Sequence, residues 1–335
     1  MRFLNGCFNA FHAGMRAVLA AAAIAALATG TAAHAGDYPD HPIRLIVGFP
    51  AGQSTDTAAR RIAQGMSEIL GQSVFIDNRP GAAGAISHQA VKNAPADGYT
   101  LLMGSTGTLS INPYLFSKLP YDPARDFDPI SLVSYSPLVM FVPANSPFHD
   151  LQELVAYAKA HPGKLSYGSG GNGSTGQIAM EMLKKQAGID LVHVPYKGSP
   201  PMVTGVIAGE TDVAFETYGG VMAFADSGRL RLLGMATLKR FPGAPAVPTL
   251  AEQSMPGFEA VPWAGMLARK GTPPAVIAKL NAALRKVLAD PAMFKEFDIT
   301  GSRVITSTPE EMGRYMAQES ARWGPAVKAS GAQVD

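Results

Sequence analysis

The sequence predicts an α/β protein with two domains, and three observations carry that prediction. Short β-branched or apolar runs alternate with stretches whose apolar residues recur at helical spacing, the rhythm of largely parallel sheets flanked by helices. Of the 335 residues, about 300 remain after a leader-like start, more than one compact core usually holds. Three strand ends, at 48–56, 104–108 and 168–175, are crowded with glycine, serine and threonine. Ligands of open α/β sheets bind at such ends.

The first 35 residues read as a secretory signal peptide. Arg2 and Arg16 supply positive charge, Ala17 to Leu27 form an uncharged apolar run, and Ala33-His34-Ala35 gives a small-x-small cleavage pattern before Gly36. The run is short for a membrane span. Cys7, the single cysteine, falls inside this segment with no apolar stretch before it, which argues against a lipoprotein anchor. The exported part would then carry no thiol, hence no disulfide, cysteine metal site or cysteine nucleophile. A periplasmic location fits.

Beyond the leader, strands are expected at 43–49, 74–77, 100–105, 165–169, 191–196, 212–217 and 231–237. Between the first two, Ala59, Ile62, Ala63, Met66 and Leu70 share one face of a helix. Ile178, Ala179, Met182, Leu183 and Ala187 do so after the third glycine-rich turn. Two C-terminal helices have clear starts, one after Thr272-Pro273-Pro274 and one at Thr308-Pro309-Glu310-Glu311, a capping box with a first-turn proline. Both read as scaffold.

Charge and motifs narrow the chemistry. Without Arg2 and Arg16, Lys and Arg number 26, equal to Asp and Glu, and a balanced chain is not a typical nucleic-acid binder. The sequence has no G-x-S-x-G, S-x-x-K, P-loop or H-E-x-x-H signature, and its histidines are scattered singly. No catalytic residue, metal site or cofactor is therefore expected. Gly168-Ser169-Gly170-Gly171-Asn172-Gly173 matches the dinucleotide pattern G-x-G-x-x-G. The acid such a site wants at the end of the next strand is missing, because Asp190 precedes that strand.

What remains is anion binding by a neutral protein. Glycine lets backbone approach a ligand closely. A helix start leaves N–H groups without intrahelical partners, and hydroxyls add donors. One exposed helix terminus contributes only about 0.3–1 kcal/mol, while micromolar binding requires about 8 kcal/mol. Two facing loops could supply that; one could not. The bland alternative, plain turns and helix caps, applies to any one loop taken alone.

The ordered motifs "YPDHPIRLIVGFPAGQSTDTAAR", "IDNRPGAAG", "APADGYTLLMGSTGT", "INPYLFSKLPYDPARDFDPISLV", "HPGKLSYGSGGNGSTGQ", "VHVPYKGSPP" and "VPTLAEQSMPGFEAVPWAGMLA" resemble the Bug family, periplasmic receptors of tripartite tricarboxylate transporters. The resemblance spans about residues 38 to 335. It implies a two-lobed, type II-like Venus flytrap, one lobe made of 36–140 plus 261–335 and the other of 141–260. It further implies capture of a small carboxylate or dicarboxylate, aromatic ones included, and delivery to membrane subunits, with no turnover, by a chain read as a monomer.

Carried onto this chain, the resemblance implies a first ligand loop at Phe49, Pro50, Ala51, Gly52, Gln53 and Asp56. The second falls on Ser105, Thr106 and Gly107, and the third on Ser169, Gly171, Asn172, Gly173, Ser174 and Thr175. Tyr196, Lys197, Glu216 and Thr217 complete the set. Gln53 stands where the family usually has glycine, Glu216 where it has aspartate, and Gln177 where histidine is frequent. Trp263, beside a lobe crossing, reads as packing in preference to stacking on a solute. Two other readings stay open at this point: a secreted enzyme on the same scaffold, and a receptor feeding a signalling system.

Overall fold

The computed structural model describes residues 38–52 and 54–334; the expected leader and Gln53 lie outside them. Strand β1 (Ile43–Val47) leads into helix α1 (Ser54–Leu70), then β2 (Val74–Asn78), α2 (Ala85–Lys92) and β3 (Thr100–Ser105). Strands β4 (Phe127–Tyr135), β5 (Leu138–Pro143), helix α3 (Leu151–Ala160), β6 (Ser166–Ser169) and α4 (Thr175–Ala187) follow. Next come β7 (Val192–Pro195), α5 (Ser199–Ala208), β8 (Val213–Thr217), α6 (Tyr218–Asp226) and β9 (Leu230–Met235). The chain ends with β10 (Trp263–Arg269), α7 (Pro274–Leu288), α8 (Pro291–Ile299), β11 (Arg303–Val304) and α9 (Pro309–Ser330).

The strands form two mixed sheets, ordered β11-β4-β10-β3-β1-β2 and β7-β6-β8-β5-β9. Parallel pairing covers β1 with β2 and β3, and β6 with β7 and β8. The antiparallel pairs involve β4, β5 and β10, none of which stood out as a strand in the sequence. The reason is local. Strand β4 carries Pro129 and three interspersed serine or tyrosine positions, and Val139 to Pro143 read as a connection. Tertiary pairing overrides such weak local signals.

These three strands decide where the loops lie. The C-terminal ends of β1 and β3 share an edge of the first sheet, and Ser105 pairs with Ala264 at the start of β10. Trp263 in turn pairs with Tyr135, the last residue of β4. After two intervening residues Leu138 opens β5 and pairs with Thr217, the end of β8, whose C-terminal edge it shares with β6 and β7. The Ser136-Pro137 crossing thus joins the loop-bearing edge of one sheet to that of the other. Ser136 N–H donates to the Pro262 carbonyl at 2.8 Å, so the outgoing and returning crossings are bonded side by side.

One helix belongs to both cores. Met312 and Met316, early in α9, pack with Leu102, Phe127 and Trp263 over the first sheet. Trp323, Ala326 and Val327, late in α9, pack with Leu138, Met140, Ile178 and Phe215 over the second. The capping box expected at Thr308 and Glu311 is formed. Trp323 is fully buried and donates its Nε1–H to Glu319 Oε2 at 2.8 Å. Trp323→Ala should remove roughly 3–5 kcal/mol of stability, read as a lower urea midpoint; a change under about 1 kcal/mol would show that α9 does not tie the second core.

Candidate functional site

The first loop is held from beneath by a buried acid. Asp56, 1% exposed in the first turn of α1, accepts from Gly52 N–H at 2.8 Å, Arg60 Nε at 2.9 Å and Asn78 Nδ2 at 2.8 Å. Asn78, at the end of β2, also donates to the Phe49 carbonyl at 3.0 Å and accepts from Arg60 at 3.0 Å. Burial raises the Asp56 pKa, but the hydrogen bonds from Arg60, Gly52 and Asn78 outweigh it and hold the carboxyl below its ordinary 3.8. Asp56 is thus a strut for the loop, with Ala51 and Gly52 exposed above it and Phe49 half-buried.

The second loop leaves β3 through a π-helical turn, Gly107–Ile111, a geometry frequent at functional sites. Ser105 is half-buried and donates its N–H to Thr108 Oγ1 at 3.0 Å. Thr106 is 1% exposed, and its Oγ1 accepts from Trp263 N–H at 2.7 Å. Its hydroxyl is engaged by the returning crossing. Trp263 is 3% exposed and meets Tyr315 edge-on at 5.4 Å, which fits the packing role expected of it.

The third loop closes on itself. Gly171 has φ 114° and Gly173 φ 78°, conformations that L side chains rarely adopt. A Cβ on Gly173 would also overlap Leu115, which follows the second loop. Ser174 caps α4 by accepting from Gln177 N–H at 3.4 Å, and Gln177 Oε1 accepts from Gly173 N–H at 2.6 Å. Asn172 is exposed and Thr175 half-buried. Ser169 is buried, its Oγ 2.7 Å from His193 Nε2.

Two further segments share that edge. Tyr196 N–H donates to the Ser169 carbonyl at 3.0 Å, while its hydroxyl donates to Glu210 at 3.0 Å, against α5. Lys197 is exposed. Glu216 turns Oε1 back onto its own loop, accepting from Thr217 N–H at 2.8 Å and its hydroxyl at 3.1 Å. Behind it, α6 starts close against Thr300 and Gly301: a Cβ on Gly219 would overlap the Thr300 carbonyl.

The structure therefore gathers Phe49 to Gly52 and Asp56 with Ser105 to Gly107 at one edge, and Ser169 to Thr175 with Tyr196, Lys197, Glu216 and Thr217 at the other. It also shows which side chains are struts. Asn78, Arg60 and His193 were not singled out in the sequence. Asn78 lies in "IDNRPGAAG", whose position straight after a strand was the available signal; His193 had none. A cavity of about 760 Å³ elsewhere, walled by Tyr114, Phe127 and Met316, contains none of these residues. Its Lys270 is paired with Asp128 at 2.8 Å.

The chain belongs to the tripartite tricarboxylate transporter family receptors, whose family model matches residues 58–332. It is 35% identical to BugT of Bordetella pertussis over 90% of this chain and 92% of that protein. The structure of the periplasmic binding protein BugD superposes with a TM-score of 0.73 at 32% identity, covering 88% of this chain and 99% of that one. Rpa4515 of R. palustris, solved with adipate, gives 0.77 at 34% identity over 88% and 99%. MatC of Rhodopseudomonas palustris, with bound malate, gives 0.73 at 30% over 87% and 100%. The fold is the two-lobed one of these binding proteins.

The Asp56 anchor makes a pH-dependent contribution. Because its folded pKa is depressed, the stability it adds is full above about 3.8 and is lost as pH falls through the folded value. Asp56→Asn should cost roughly 1–3 kcal/mol at pH 7, with the gap from wild type closing in acid when melting is followed against pH. A gap constant from pH 7 to pH 2 would show that the carboxylate is not the anchor.

Proposed function

We propose that this chain is a periplasmic receptor that captures a small organic carboxylate between two lobes and presents it to the membrane subunits of a tripartite transporter. The lobes are read as 36–140 plus 261–335 and 141–260, closing by hinge bending about the two crossings. The first boundary is drawn back to the Ser136-Pro137 crossing, because Leu138, Val139 and Met140 pair within the second sheet. The observation that carries this reading is the Ser136-Pro137 crossing, which sets the loop-bearing edges of both sheets against each other. Opposed backbone and hydroxyl donors suit a small anion.

The ligand contacts are assigned to the first loop at Phe49, Ala51, Gly52 and Gln53, to Ser105 and Gly107, and to Gly171, Asn172, Gly173, Ser174 and Thr175 with Lys197, while Ser169, expected among them, is buried and shapes the loop. Asp56 and Thr106 support them from behind. Adipate and malate, bound by two of the similar structures, set the size class, and Glu216 is the position read as tuning selectivity among carboxylates. The role is binding without chemical turnover.

A thermal-shift panel of mono-, di- and tricarboxylates, aromatic diacids, sugars and amines tests the reading. A ligand at a hundred times its Kd stabilises by about 2.7 kcal/mol, a rise of about 4 °C for a chain of this size. A dicarboxylate should give the largest rise. A sugar or an amine raising the melting temperature while every carboxylate leaves it unchanged would overturn the assignment.

A further inference from the structure

One imidazole sits at the centre of the third loop's hydrogen bonds. His193 lies on β7, half-buried, its ring stacked on Tyr167 at 4.8 Å. Gln177 Oε1 accepts from Gly173 N–H at 2.6 Å, and this short bond sets which way the amide faces. Gln177 Nε2, a donor only, is therefore the atom 3.4 Å from His193 Nδ1. Nδ1 must then accept, and the ring proton resides on Nε2, 2.7 Å from Ser169 Oγ. The serine oxygen accepts from His193 and also from Gly171 N–H at 3.2 Å. With both lone pairs engaged, its own proton must be donated. The acceptor in reach among the described residues is the Gly171 carbonyl, at a long 3.3 Å.

We propose that His193 is a positioning residue, which through Gln177 and the buried Ser169 holds Gly171 and Gly173 of the third loop in their binding shape. The proposal rests on the third loop being a ligand loop, as read above. Neutral His193 is compatible with both of its neighbours; the imidazolium is not. A proton on Nδ1 would face the Gln177 amide donor, so either the amide turns and releases Gly173 N–H or the ring leaves Ser169.

The groups facing the ring are the Tyr167 ring from β6 and, from α4, Glu181 and Lys184, themselves paired at 3.0 Å. Burial pushes the imidazole below its ordinary 6.5; Glu181 opposes this and Lys184 adds to it. His193 is thus neutral at pH 7. Its contribution is complete above about 6.5 and lost as pH falls through the lower folded value.

Long-range nitrogen–proton NMR of the ligand-free protein at pH 7.5 should show His193 protonated at Nε2 and bare at Nδ1; the opposite tautomer overturns the proposal. Calorimetric titration with adipate, and with malate, supplies the functional arm. His193→Ala should weaken binding roughly ten- to hundredfold, because the third loop loses the bonds that hold its backbone donors in place. His193→Gln, which keeps a donor near the Nε2 position, should stay within about threefold of wild type at pH 7.5 on the same scale and lose the wild type's acid-side weakening. A Gln variant as weak as the Ala variant, or one retaining that acid-side weakening, overturns the role. Failure of the wild type to bind either acid would strike the carboxylate reading instead, while the NMR tautomer still decides the part played by His193.

Discussion

Everything about the binding geometry depends on a pair of chain crossings that are bonded to each other. Ser136 N–H meets the Pro262 carbonyl at 2.8 Å, and Tyr218 N–H meets the Pro137 carbonyl at 2.8 Å. Both crossings contain proline, whose fixed φ and missing N–H confine the segment without adding a ladder partner. Because β4 and β10 end and begin at the loop-bearing edge of the first sheet, and β5 begins at that of the second, the edges face each other. Had the crossings left from the opposite edges, the same glycine turns would lie on outer surfaces.

The C-terminal helix adds a second tie of different character. Where the crossings are held by backbone hydrogen bonds, α9 is held by apolar side chains in both cores. Glu319, 1% exposed, sits between these halves with Trp323 Nε1 at 2.8 Å and Arg322 at 3.2 Å, and Arg322 also pairs with Glu259 ahead of the returning crossing. A buried acid of this kind is held by its partners more than it stabilises. Relative motion of the two sheets must accommodate this helix as well as the crossings.

Within the loops, the polar side chains divide their labour. Asp56, Asn78, Thr106, Ser174 and Gln177 direct their hydrogen bonds at neighbouring backbone. They shape the loops, and shape fixed before a ligand arrives reduces the entropy lost on binding. Donors with rotational freedom, or exposed like Lys197, are the minority.

Local pattern was enough to place most of the elements. The helical faces of 59–70 and 178–187, the strands β1, β2, β3 and β6 to β9, and the capping box at Thr308 all follow from periodicity and end signals between near neighbours in the chain. The three glycine-rich strand ends were legible for the same reason. Strands β4, β5 and β10 were not, because their antiparallel pairing joins residues far apart in the chain, as Tyr135 with Trp263 and Leu138 with Thr217. The strut roles of Asp56, Thr106 and His193 were equally hidden. Each rests on a partner brought in by another element, so residue type alone cannot tell a ligand contact from a support. By itself the sequence determined the α/β class and where backbone could approach an anion. Only the tertiary structure decided that these places face one another, since that depends on the edges from which two distant antiparallel strands enter their sheets.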